Sequence, residues 1–403
     1  MRAWLVWGTA VLAYIVSVLH RTSFGVSGLA ASERFTIAPT TLSAFVVLQL
    51  IVYAAMQVPA GVLLDRFGPR RLIVTGSLVM AGGQFALAFA EALPLAILGR
   101  AVVGGGDALI FISALRLVPQ WFPFRRVPVL TQLTGILGQF GQILSAVPFL
   151  GLLHASGWSV AFTAAAALGV LAALLTLAAV RDVPPDQEAP RDRIRIRATG
   201  QRIRAVWARP GTKLGFFAHL GTQFSFNAFA LMWGVPYLMT AQEISGEAAG
   251  ALLSLAVVSG VFTGPALGTL SARFPRRRTW LVLGVIGANA AIWTITLVWA
   301  SPVPFWLLVL LVLVMATGPP GSMIGFDFAR TFNPAPELGT AQGLVNTGGF
   351  IATLLAILLI GVVLDLTGGY TFDGFRLAFG AQYLLWAIAV VGVLGYRRLI
   401  RRL

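Results

Sequence analysis

Twelve apolar runs, each near the length a helix needs to cross a bilayer, constrain this chain more than any other feature. A spanning helix requires roughly 20 apolar residues. Runs of that kind lie at about 3–29, 41–62, 71–91, 94–117, 128–153, 157–180, 213–240, 248–271, 279–300, 303–326, 339–366 and 374–396. The first resembles a signal peptide only superficially. Its apolar stretch exceeds a signal core and no small-residue cleavage site follows, so it is read as the first membrane helix. Hydrophobic residues make up 58% of the 403, and charged residues 11%. A soluble domain carries about 25% charged residues. The fold expected is therefore an all-α membrane protein with twelve transmembrane helices.

The charges between the runs fix an orientation. With the N-terminus inside, 24 of the 29 Lys and Arg residues fall on cytoplasmic segments, whereas the opposite side has only Arg34 and Arg376. Positive charge on alternate loops marks the cytoplasmic side, so both termini are expected there. Net charge +15 is then a matter of topology and lipid headgroups. Clusters confined to short loops do not make a nucleic-acid surface, and no nucleic-acid partner is expected. With zero cysteines there is no thiolate metal site or disulfide. No HExxH, GxSxG or Walker lysine occurs, Lys213 being the sole lysine. Neither an enzyme, a metal nor a cofactor is expected.

One polar stretch, 181–212, divides the chain into six-helix bundles at 1–180 and 213–403. Its Pro- and acid-rich start reads as a linker. "RDRIRIRATGQRIRAVW" reads either as a basic amphipathic helix on the anionic inner leaflet or as a solvated connection. A shift of 207 residues lays "GVLLDRFGPRRL" (from Gly61) over "GTLSARFPRRRT" (from Gly268), matching Arg66 with Arg273 and Arg70-Arg71 with Arg277-Arg278. Thr131-Gln132 and Ala341-Gln342 likewise enter the fifth helix of each half. Two bundles related by a parallel repeat are one known transporter plan.

Here the sequence resembles the major facilitator superfamily, over the whole chain. The family's loop motif appears as Gly61, Leu63, Asp65, Arg66, Gly68, Arg70 and Arg71, with Pro69 inserted before the arginine pair. A second pattern appears as Arg100 and Gly104 in the fourth helix. The resemblance implies that Asp65 helps to fasten the two halves on the cytoplasmic side. Two partners are considered for it: Arg116, and the positive N-terminus of the eleventh helix near Gly339 and Thr340. Gly61 permits close helix approach and Gly68 a tight turn. In the second copy Ala272 replaces the aspartate, and Asp327 with Arg330 is expected to supply the charge pairing to Arg273 and Arg277.

Arg21, Arg100 and Asp107 remain at membrane depth, where ionisable groups are costly and mark functional paths. The first and fourth helices line the central cavity in this family. Arg21 and Asp107 are accordingly expected to face one aqueous space, Arg21 as the anion-binding guanidinium and Asp107 as the proton-coupling carboxyl. A static pair between them is the alternative. Arg100 is expected either to tune Asp107 or to snorkel outward, and His20 to face away. Polar stripes at i, i+4, i+8 (Gln49, Tyr53, Gln57; His219, Gln223, Asn227) extend the candidate site. Gln132, Gln139 and Gln142, Gln342 and Asn346, and Gln382 and Tyr383 add to it. Of these, Tyr53, Gln57, Gln139, His219, Gln223, Asn227 and Asn346 are the candidate substrate contacts, and His219 is a second proton carrier.

"GLVNTGGF" loosely resembles a signature of nitrate and nitrite carriers, which hold the anion with arginines of the second and eighth helices; this chain has none there. The expected function is secondary active transport of a small solute by alternating access, proton-coupled, with a small organic anion as substrate. The alternative is a proton-antiporting exporter of amphiphilic compounds or drugs. The protein is expected to act as a monomer in a bacterial-type inner membrane.

Overall fold

Lipid offers the backbone no hydrogen-bond partner, so a spanning chain must satisfy its amides internally. The computed structural model describes residues 2–36, 39–185 and 199–400, and its regular elements are all helical. Twelve long helical runs carry the fold: α1 (Arg2–Val26), α2 (Pro39–Phe67), α3 (Pro69–Ala88), α4 (Leu93–Trp121), α5 (Phe124–Ser156), α6 (Trp158–Ala179), α7 (210–241), α8 (Gly246–Arg273), α9 (Pro275–Val298), α10 (Phe305–Phe332), α11 (Ala335–Leu366) and α12 (Phe372–Ile400). Eleven of them are long and apolar enough to cross a membrane. The exception is α7, which carries Lys213, His219, Gln223 and Asn227 in a helix that otherwise matches its neighbours.

Several ends differ from the expected spans for local reasons. α1 stops at Val26, and a short helix, Gly28–Phe35, follows. Arg34 holds that helix by donating to the Ala90 carbonyl at 2.9 Å. α2 runs past residue 62 to Phe67, so Asp65 and Arg66 are helical. Gly68, at φ 80°, then breaks the helix in a conformation that L side chains rarely adopt. Pro69 opens α3 at the position where its missing N–H costs nothing. Pro148 lies within a π turn, Ser145–Phe149, of α5. α7 contains two more, Phe229–Trp233 and Tyr237–Ala241, of the kind that adjusts a helix locally. The linker's amphipathic stretch is helical over Thr199–Ala208, whereas 191–198 and Arg401–Arg402 lie outside the described residues.

The chain packs as two compact units. Unit 1 is Met1–Val127, Leu133–Ile203 and Pro334–Gly343; unit 2 is Pro128–Gln132, Arg204–Asn333 and Leu344–Leu403. Lipid tails are as apolar as leucine, so packing and polar contacts must join the helices. In unit 1, Trp158 stacks on Phe162 at 4.3 Å and donates to the Leu87 carbonyl at 2.8 Å. In unit 2, Trp293 stacks on Phe379 at 4.4 Å and donates to Ser225 Oγ at 3.2 Å. The exposed side chains include Leu98, Phe262, Leu366 and Val391, as a lipid-facing surface requires.

Candidate functional site

Arg21 and Asp107 meet. Arg21 Nε donates to Asp107 Oδ2 at 2.6 Å and Nη2 to Oδ1 at 2.9 Å, the two-pronged geometry that suits a guanidinium to a carboxylate. Ser17, one turn before Arg21 on α1, donates to Asp107 Oδ1 at 2.5 Å. The Arg21 guanidinium lies over the Tyr53 ring at 5.0 Å. The Asp107 side chain is 0% exposed and that of Arg21 24%. The pair is thus reached through its arginine.

Arg100 neither snorkels outward nor bonds to Asp107. It is buried, donating to the His20 carbonyl at 3.1 Å, to the Arg21 carbonyl at 2.7 Å and to Gln49 Oε1. Its charge therefore pins the α1 backbone beside the ion pair, and Gln49 serves Arg100 rather than an open space. His20 turns to α6, with Nε2 2.8 Å from the Ala165 carbonyl. Gln57 Nε2 donates to the Tyr53 carbonyl at 3.2 Å. Gln139 is half-buried and accepts from Gln142 at 2.6 Å.

Unit 2 holds a second polar group. His219 is buried, with Nε2 3.0 Å from Asn346 Oδ1. Gln223 and Asn227 are half-buried on the same face of α7. His219 Nδ1 and Gln223 Oε1 find no hydrogen-bond partner among the described residues. Both approach Gly349 so closely that a Cβ there would touch them. Gln132 donates to the Pro320 carbonyl at 2.7 Å and Gln382 to the Phe379 carbonyl at 3.3 Å. Tyr383 turns to α9, where its hydroxyl meets Thr294 and the Ala290 carbonyl.

At the ends assigned to the cytoplasm, Asp65 takes the second of its two considered partners. It accepts from the Gly339 amide at 2.7 Å, the Thr340 amide at 2.8 Å and Thr340 Oγ1 at 2.7 Å. These amides belong to the first turn of the helix Leu338–Leu366, where the dipole favours a carboxylate. Arg116 donates instead to the Ala335 carbonyl. α2 and α11 cross so closely at Gly61 and Gly339 that a Cβ on either would strike the other's carbonyl. Gly61→Ala is expected to force them apart and to cost about 1–3 kcal/mol. A thermal melt of the purified variant reads this as a lowered Tm; an unchanged melt contradicts the crossing.

Among the remaining motif residues, the Arg70 amide donates to Asp182 at 2.8 Å and its guanidinium to the Leu177 carbonyl at 2.5 Å. Arg66 lies exposed over Phe67 at 4.9 Å, and Arg71 is exposed. In the second copy the expected pairing is displaced by one residue. Asp327 accepts from Ser271 at 2.5 Å and from Arg330 at 2.8 Å, and Arg278 Nε lies 3.8 Å away. Arg273 and Arg277 are exposed over the Phe274 ring, at 5.6 and 5.7 Å. Opposite faces of the turn explain this: Arg278, near the start of α9, lies on its buried side, and its predecessor points out. Ser17 and Arg202 are the polar contacts that sequence reasoning passed over. Of these, Ser17 alone left a signal, its i, i+4 spacing from Arg21.

A family model described as Major Facilitator Superfamily matches residues 10–232 and 214–402. A Cupriavidus necator protein named "Probable sulfoacetate transporter SauU" is 22% identical over 91% of this chain and 88% of its own. An Escherichia coli protein named "Probable galactarate/D-glucarate transporter GudP" is 22% identical over 99% and 93%. Among solved structures, that of FucP, a superfamily transporter in the outward conformation, aligns with TM-score 0.73 at 16% identity over 98% of this chain and 99% of that one.

Proposed function

The chain belongs to the major facilitator superfamily, and on that premise we propose that it carries a small organic anion together with protons by alternating access. It is a multi-pass membrane transporter of small solutes, not an enzyme. The reading of the cargo rests chiefly on the Arg21–Asp107 pair, whose arginine is partly exposed and whose aspartate is not.

A carboxylate arriving at Arg21 competes with Asp107 for the same donors. Removing the partner from a buried charge costs about 3–5 kcal/mol. Asp107 avoids that cost by taking up a proton as it leaves Arg21. Anion and proton therefore load together, and the return of Asp107 to Arg21 expels both. Ser17 and the Tyr53 ring hold the two groups in place, and Arg100 fixes the α1 backbone that carries Arg21. Sulfoacetate and glucarate, named for the relatives, are both small anions ending in a carboxylate, which favours this cargo over an amphiphilic drug. His219, Gln223, Asn227 and Asn346, with Gln57 and Gln139, are assigned to the polar body of the solute. His219 is also kept as a second proton carrier.

The same reading takes the two six-helix bundles, 1–180 and 213–403, as a parallel repeat joined by the 181–212 linker, with both termini in the cytoplasm of a bacterial cell. The protein then works as a monomer in the inner membrane. Asp65, seated on the α11 N-terminus, acts as the cytoplasmic latch, with Gly61, Gly68, Arg66, Arg70, Arg71 and Arg116 around it. Asp327, Arg273 and Arg277 belong to its weaker counterpart. Asp65→Asn removes charge-assisted bonds worth about 1.5–3 kcal/mol. Turnover should fall roughly tenfold or more while KM changes little, as measured by initial uptake rates; a loss of affinity alone contradicts the latch.

A thermal-shift panel tests the cargo. At 100 times Kd a ligand stabilises the native state by about 2.7 kcal/mol. Sulfoacetate or glucarate should raise Tm and a neutral sugar should not. Stabilisation by cationic amphiphiles alone would replace this reading with the exporter.

A further inference from the structure

The turn that opens α11 is gripped at four backbone positions. Asp65 of α2 accepts from the Gly339 and Thr340 amides. Arg116 of α4 donates to the Ala335 carbonyl. The third grip comes from outside the bundles: Arg202, on the linker helix Thr199–Ala208, donates through Nη2 to the Pro336 carbonyl. The same Nη2 lies 3.4 Å from Asp65 Oδ2, and the Arg202 side chain is 8% exposed. A long, flexible cation on a linker buries itself only where its charge is matched, and here both partners belong to the latch.

We infer that the linker helix is a working part of the cytoplasmic latch, with Arg202 as the positioning residue that couples it to Asp65 and the α11 turn. The inference rests on the gating role proposed for Asp65. Three further contacts hold the described ends of the linker. At its start, Asp182 accepts from the Arg70 amide at 2.8 Å, and the Arg181 carbonyl accepts from Trp121 at 3.1 Å. At its far end, Arg209 Nη1 donates to Asn333 Oδ1 at 2.9 Å. The boundary between the two compact units falls inside the helix, between Ile203 and Arg204. Arg202, Asp65 and Pro336 fall in unit 1, and Arg209 with Asn333 in unit 2, so the one short helix and the residue after it carry a contact to each. Arginine suits the role because its planar fork reaches a carbonyl and a carboxylate at once. Lysine, a point charge, holds one of them.

The absence of native cysteine makes the test clean. Spin labels are placed at Arg125→Cys and Arg276→Cys, two exposed positions at the ends assigned to the cytoplasm, one in each unit. Their distance distribution is measured in the full-length reconstituted protein. Arg202→Ala should raise the ratio of the longer-distance, cytoplasm-open population about tenfold, equal to ~1.4 kcal/mol. Arg202→Lys should give a smaller rise, and adding Arg202→Ala to Asp65→Asn should add little to the effect of Asp65→Asn alone. If Asp65→Asn opens the protein and Arg202→Ala does not, the linker is a passive tether and the latch stands without it. If neither variant shifts the distribution, the latch itself is refuted. Full rescue by lysine at 202, with an alanine effect additive to Asp65→Asn, would reduce Arg202 to surface charge.

Discussion

Arg21→Ala abolishes anion transport while the protein still reaches the membrane: that is the largest effect expected of any single substitution here. Arg21 offers two parallel donors to a carboxylate. Losing a buried, hydrogen-bonded charge partner costs about 2–5 kcal/mol, so uptake at low substrate should fall roughly 30- to 4,000-fold. Arg21→Lys keeps the charge but not the fork and should recover only part of the loss. A static pair joining α1 to α4 makes a different forecast. In that case Arg21→Met with Asp107→Leu, which removes both charges together, would restore function as well as stability. The coupling role expects the double variant to be stable and inactive. Measured uptake by the two variants, against their amount in the membrane, decides between them.

Asp107→Asn should separate anion movement from the proton gradient. Asparagine mimics the protonated carboxyl and leaves Arg21 free for the anion in every step. Exchange of labelled for unlabelled substrate should continue, while net accumulation collapses to a ratio near one. In the parent protein, with voltage held at zero, one proton per anion drives about tenfold accumulation for each pH unit, since ~1.4 kcal/mol is a factor of ten. Proton-driven accumulation that survives Asp107→Asn would pass the role to His219, whose buried ring meets Asn346. Replacement of His219 by Gln then becomes the deciding variant.

The sequence conveyed the apolar spans well because bilayer thickness imposes a length on each of them. α7 is the informative exception. The residues that draw attention to it as a candidate site, His219, Gln223 and Asn227, are the ones that lower its apolarity below that of the other eleven. The meeting of Arg21 with Asp107 was foreseeable, since two charges at membrane depth have few ways of being satisfied. Arg100 was only partly so: its partner Gln49 stood in the polar stripe, but the His20 and Arg21 carbonyls are backbone acceptors, which leave no mark in sequence. The second-copy pairing failed by one position for a similar reason. A repeat aligns Arg277 and Arg278 with Arg70 and Arg71, but only helix rotation decides which arginine of a pair turns inward, and Arg278 does. Arg202 was hidden by context, since a basic helix in a linker has lipid and solvent as its ordinary partners.

Proton movement accompanying the anion is the most direct measurement. The purified protein is sealed into vesicles with a pH-reporting dye inside, voltage is clamped at zero, and sulfoacetate or glucarate is added outside. The expected result is acidification of the lumen in step with anion entry, absent from Arg21→Ala and from Asp107→Asn. Anion entry at full rate with no change in luminal pH, or acidification undiminished in Asp107→Asn, would contradict a carboxylate that trades its arginine for a proton.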